Sequence, residues 1–103
     1  MECTQHYTND RKSRIDFIND VIGVGNIVDS FIVDKGHKNG AEIHSVTDTG
    51  IIIIRNYHTK KLVTMLIGRP QQIRRYYTAE DKAIPLNIVA IAKEHQQKGY
   101  NYK

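Results

Sequence analysis

Four consecutive isoleucines, Ile51-Ile52-Ile53-Ile54, stand directly after Asp48-Thr49-Gly50 and constrain the fold more than any other stretch. The block is too short to span a membrane and too rich in β-branched side chains for a natural helix core. A strand with one wet face would put every second isoleucine in water. A run apolar at every position predicts instead a central strand covered on both faces. Residues 51–55 are therefore the middle of a sheet, and the remaining sequence must supply its pairing strands and its two covers.

The 103 residues form a single domain, 1–103, with loose termini at 1–7 and 99–103. That length supports a core without disulfide or metal staples. With 40% hydrophobic and 25% charged residues, a soluble globular chain is expected. Cys3 is the only cysteine, which excludes an intrachain disulfide and a cysteine zinc site and fits a reducing cytoplasm. No apolar run reaches spanning length, and the polar first fifteen residues do not resemble a secretory signal. The expected location is cytoplasmic, away from membranes. A formal charge of +4 and a pI near 9.3 favour an anionic partner, nucleic acid or an acidic protein surface. The same charge is also common in small proteins that bind no nucleic acid.

Helix and strand periods give an α+β order. Thr8 or Asn9 can cap a helix over 9–22, whose stripe is Ile15, Ile18 and Ile22 with Phe17 and Val21 beside it, and which stops at Gly23. The Gly23-Val24-Gly25 linker follows a helix and opens none, unlike a dinucleotide-binding loop. Strands follow at 27–34, 41–47, 51–55 and 61–67, with turns at 35–40, 48–50 and 56–60. The short connections predict an antiparallel meander. If Thr47 opposes Ile51, His44 opposes Ile54 and Ile43 opposes Arg55; His44, Val46, Ile52 and Ile54 then share one face. Pro70 opens a short basic helix, 70–77, and Ile84, Ile88 and Ile91 mark a last helix across 85–97. Thr78 and Asp81 have the spacing of a capping box. The two long helices lie either on opposite faces of the sheet or on one face, with a second copy of the chain covering the other.

Three groups of residues could carry chemistry. Glu42 and His44 share a strand face, a geometry that can hold a metal, but no third ligand accompanies them, and no motif calls for a cofactor. With Arg55 and Arg69 they supply what metal-free RNA cleavage requires: a base for the 2′-hydroxyl, an acid for the leaving oxygen and cations for the phosphorane. The predicted register points Arg55 to the face opposite Glu42 and His44, and a salt bridge at the sheet rim is the simpler role for Glu42 and Arg55. Arg74-Arg75-Tyr76-Tyr77 sets guanidiniums beside rings suited to phosphate contact and base stacking. Lys35, His37 and Lys38 make a second basic spot, and Arg11, Lys12 and Arg14 a third. The alternative is that these are solvated patches and that the tyrosines close the edge of the core. Neither Cys3 nor Ser45 has the surroundings of an activated nucleophile.

Taken together, His6 and Arg11, the segment FIVDKGHKNGAEIHSVTDTGIIIIRN and the run TKKLVTMLIGRPQQIRRYY resemble small phage and prophage proteins of Firmicutes. Over residues 6–77 the layout is similar to the barnase–EndoU–colicin–RelE group of small ribonuclease folds. That resemblance implies a domain acting on RNA, with His44 as base or acid and Arg55 and Arg69 as phosphate contacts. Two functions are therefore expected. One is an RNA-binding domain, as a metal-independent endoribonuclease or a degenerate relative. The other is a non-enzymatic phage inhibitor of a host nucleic-acid enzyme or defence protein.

Overall fold

The computed structural model describes residues 13–34 and 40–100. The first helix, α1, is described from residue 13, is α-helical to residue 17 and ends in a π turn, Ile18–Ile22. The proposed caps Thr8 and Asn9 lie outside the described residues. The Gly23 N–H closes the turn on the Ile18 carbonyl at 2.7 Å. Four strands follow, β1 (Ile27–Asp34), β2 (Ala41–Thr47), β3 (Ile51–Asn56) and β4 (Leu62–Ile67), then α2 (Pro70–Ala79) and α3 (Leu86–Gln97). The fold is α+β: an N-terminal helix, an antiparallel meander in the order β1-β2-β3-β4, a short basic helix and a C-terminal helix.

The register is the one expected from the hairpin. His44 pairs with Ile54 and Ile43 with Arg55, and Gly50 sits at φ +83, the left-handed position that the three-residue turn requires. All four isoleucines are buried. Their alternation splits the core in two. Val46, Ile52 and Ile54 join Phe31 and pack against Ile73 and Tyr77 of α2 and Ile88, Val89 and Ala92 of α3. On the other face Ile51, Ile53, Met65 and Ile67 pack against Ile18, with Ile15, Phe17 and Ile22 at the margin. The covers thus lie on opposite faces, and the argument for a second copy above an uncovered isoleucine face lapses.

Several local expectations change. Arg14 is not part of a solvated basic patch; its guanidinium donates to the Met65 carbonyl at 3.1 Å and the Thr64 hydroxyl at 3.2 Å, tying α1 to the edge strand β4. Arg11 and Lys12 lie outside the described residues. Val21 faces solvent although it borders the apolar stripe. The buried stripe of α3 is Ile88, Val89, Ala92 and His95. Ile84 precedes the helix and Leu86, at its first position, is 72% exposed. Thr78 and Asp81 do not cap a helix start. Thr78 lies within α2, and its carbonyl accepts from the Asp81 N–H as the chain turns out of the helix.

The layered core predicts a sharp contrast between two isoleucines. Ile52 is fully buried whereas Ile32 on β1 is 59% exposed. Ile52→Ala should cost about 2–5 kcal/mol and Ile32→Ala no more than about 0.5 kcal/mol, read from urea unfolding midpoints at constant m-value.

Candidate functional site

The alternation of β2 puts Glu42 and His44 on the same face, two residues apart, and α2 crosses above them. The result is a continuous chain of side-chain hydrogen bonds. His44 Nε2 lies 3.0 Å from Glu42 Oε1, His44 Nδ1 lies 2.5 Å from the Tyr76 hydroxyl, and Gln72 Nε2 donates to that hydroxyl at 3.0 Å. An ionised carboxylate only accepts, so the neutral imidazole carries its proton on Nε2 and presents the Nδ1 lone pair to the Tyr76 O–H. Every donor in the chain then has an acceptor. His44 is buried and Tyr76 half-buried.

Burial raises the Tyr76 pKa, the Gln72 hydrogen bond opposes this, the Glu42 charge adds to it and Arg75 opposes it. The net direction is upward, so the phenol is neutral at physiological pH. The ring stacks on Phe31 at 5.4 Å with an interplanar angle of 10°. Its neighbour Tyr77 is buried and donates to Asp29 Oδ2 at 2.7 Å, and Lys82 lies 3.4 Å from the other Asp29 oxygen. Burial, followed by the bond to Asp29 and the charge of Asp29, raises the Tyr77 pKa further.

Beside this chain an open groove of about 420 Å³ runs between β1 and α2. Phe31, Ile32, Val33 and Ala79 give it an apolar floor, and His44, Gln72 and Tyr76 bring the hydrogen-bond chain to it. Arg75 and Glu80 place one charge of each sign on its α2 side. The volume suits one small ligand or a single residue of a polymer.

The structure therefore brings together two of the four residues expected to be catalytic, Glu42 and His44. Arg55 pairs with Ile43 and points to the opposite face. Arg69 precedes α2 at the other end of the sheet, where the neighbouring Gly68 N–H bonds to the Gly50 carbonyl at 2.8 Å. Arg74 and Arg75 are exposed, as nucleic-acid contacts must be, and Arg75 alone of them lines the groove. Tyr76 stacks one ring face on Phe31 and bonds His44 through its hydroxyl, so it helps close the core edge while also lining the groove. Lys35, His37 and Lys38 lie outside the described residues. Gln72 was missed from sequence, although its i, i+4 spacing to Tyr76 on one helix was a usable signal. Phe31 and Glu80 had no such signal, because only the crossing of α2 over β1 brings them to the groove. As for metals, both ring nitrogens of His44 are engaged by protein groups. Among the described residues no three histidine, cysteine, aspartate or glutamate side chains cluster.

Two outcomes check this arrangement. Tyr76→Phe keeps the ring but leaves buried His44 Nδ1 without its donor, and should cost about 1–3 kcal/mol in denaturant unfolding. Tyr77→Phe should alter the alkaline limb of stability. The folded phenol titrates above its ordinary value of 10.0. The folded chain thus holds its proton where the unfolded chain has lost it. Stability from this source is intact below about pH 10 and falls as pH rises through the raised value. The variant should lack this fall while matching the wild type's pH dependence between about pH 6 and 9.

Compared with protein-family models, curated proteins and solved structures, the chain has no match, and the reading of the site rests on its own geometry.

Proposed function

We propose that the protein binds RNA at the groove between β1 and α2 and acts there as a metal-independent, endoribonuclease-like domain. The observation that carries this reading is the Glu42–His44–Tyr76–Gln72 hydrogen-bond chain, set beside a groove with Arg75 in its wall. An internal 2′-hydroxyl placed on the Tyr76 oxygen can pass its proton to that oxygen while the phenol proton moves to His44 Nδ1. Glu42 stabilises the imidazolium that forms, as the carboxylate does in other carboxylate–histidine pairs. The 2′-oxygen attacks the adjacent phosphorus, Arg75 faces the charge that develops on the phosphorane, and the proton returns by the same route to the departing 5′-oxygen. The products are a 2′,3′-cyclic phosphate and a free 5′-hydroxyl. Arg74, exposed on the same helix, and the net charge of +4 supply the sequence-independent attraction for the strand. Neither Arg55 nor Arg69 belongs to this site.

A second reading is favoured by one feature, the outer strand β1, which exposes Ile27, Val28 and Ile32. A sheet edge with apolar side chains suits pairing with a protein partner. Under that reading the chain is a non-enzymatic phage-type inhibitor of a host nucleic-acid enzyme or defence protein.

Incubation of the purified protein with total RNA in the presence of a chelator distinguishes the two. The enzymatic reading expects cleavage to cyclic-phosphate ends, lowered at least about 100-fold in Tyr76→Phe and His44→Gln variants whose folding is verified by circular dichroism. Intact RNA with the wild type would end that reading. Charge reversal at Arg74 and Arg75 should abolish RNA binding, whereas an interface through β1 would survive it.

A further inference from the structure

Outside the groove, the turn between β3 and β4 combines features that the fold itself does not require. Residues 55–61 read Arg-Asn-Tyr-His-Thr-Lys-Lys, with three fixed cations, a histidine and no carboxylate. The backbone is pinned from within. Asn56 Oδ1 accepts from the His58 and Thr59 N–H groups at 2.9 Å each, and the Asn56 carbonyl accepts from the Lys60 N–H at 2.8 Å. The Asn56 N–H donates to the Lys61 carbonyl at 2.9 Å. Lys60 is held at φ +64, a left-handed conformation uncommon for a residue other than glycine.

This turn displays an aromatic ring with one ammonium over its face. Tyr57 is 38% exposed, the Lys60 ammonium sits 4.4 Å from its ring centre and donates to the Tyr57 carbonyl, and the His58 ring lies nearly perpendicular to it with centroids 5.4 Å apart. His58, Lys60 and Lys61 are exposed as well. Among the described residues Tyr57 belongs to neither apolar cluster. With one ring face under the Lys60 ammonium and Lys61 next in the chain, the other face is suited to a stacked base whose phosphates meet the lysines.

The position relates the turn to the groove. Asn56 pairs with Glu42 and the Tyr57 N–H donates to the Ala41 carbonyl at 3.1 Å. His44 is two residues further along β2, roughly 7 Å at the rise of a strand. The turn thus stands at the sheet end nearest the hydrogen-bond chain.

Building on the proposed action on RNA, we infer that the β3–β4 turn is a second contact for the same single strand: Tyr57 stacks one base, and Lys60 and Lys61 neutralise neighbouring phosphates. The turn holds the strand that the groove acts on and takes no part in proton transfer.

The test uses the full chain and a fluorescently labelled single-stranded RNA, with affinity measured by anisotropy over a series of salt concentrations. Tyr57→Ala should weaken binding at least about fivefold at fixed salt. A Lys60→Asn, Lys61→Gln double variant, in which asparagine tolerates the left-handed position, should lower the slope of log affinity against log salt by about 1.4. Both variants should raise KM for RNA and leave kcat unchanged, because the turn lies outside the groove. Wild-type binding with unaltered affinity and salt slope in both folded variants would overturn this second contact while leaving the groove reading intact. Absence of RNA binding by the wild type would overturn both.

Discussion

The burial of β3 on both faces is the constraint from which the rest of the molecule follows. A strand with no wet face must be flanked by two strands and covered twice, so α1 takes one face and the pair α2 and α3 the other. Apolar packing alone would let these covers slide. Their position is fixed by polar contacts gathered at the hairpin that leads into β3. The Thr49 hydroxyl lies 2.8 Å from both the Gly23 and Val24 carbonyls, and Asp48 Oδ1 accepts from the Asn26 N–H at 2.9 Å, so the exit of α1 is fastened to the turn. The Thr49 carbonyl accepts from His95 Nε2 at 2.9 Å, fastening α3 to the same turn. Gly68 makes the third junction. A Cβ there would lie 2.8 Å from the Gly50 carbonyl oxygen, so only glycine lets β4 leave the sheet against the hairpin on its way to α2.

Placement of α2 determines the candidate site. The helix must bury Ile73 and Tyr77 over the sheet, and the helical period then brings Gln72 and Tyr76 to its flank above β2. Glu42 and His44 point to that flank because β2 alternates in register with the isoleucine block. The hydrogen-bond chain is therefore both a joint of the fold and the candidate chemical centre. A polar group at such a joint is costly unless its hydrogen bonds are complete, since a buried donor or acceptor left alone costs more than a completed bond gains. In the tautomer set by Glu42 the chain is complete from the Gln72 amide to the carboxylate.

Much of this architecture was legible in the sequence because β-structure here rests on short-range signals. Asp48-Thr49-Gly50 fixed the hairpin register, and the register fixed which residues share a face; both agree with the structure. Which helix covers which face was not legible, because apolar stripes on α1 and α3 fit either side of a doubly apolar strand. The site was legible in half. Glu42 and His44 lie together because strand alternation is local, whereas their partner Tyr76 comes from α2 and depends on a crossing that no spacing encodes. Arg14 was misread for a similar reason. A helical wheel places it off the apolar stripe, yet a long side chain can reach from there to the carbonyl of an edge strand.

The burial that holds Tyr76 in place also bears on how the proposed chemistry would run. A phenol whose pKa is raised is a poor source of phenolate, so Tyr76 does not serve as a base by being ionised in the resting protein. Its use lies in being bonded on both sides, accepting from Gln72 and donating to His44, so that a proton arriving at the oxygen displaces one already aimed at Nδ1. The charge then comes to rest on the imidazole, next to Glu42, and not on the buried phenol. Burial of the ring against Phe31 thus favours a concerted transfer over a stepwise one. The closeness of Tyr76 to Nδ1 has meaning beyond holding two elements of the fold together if a substrate hydroxyl reaches the oxygen from the groove.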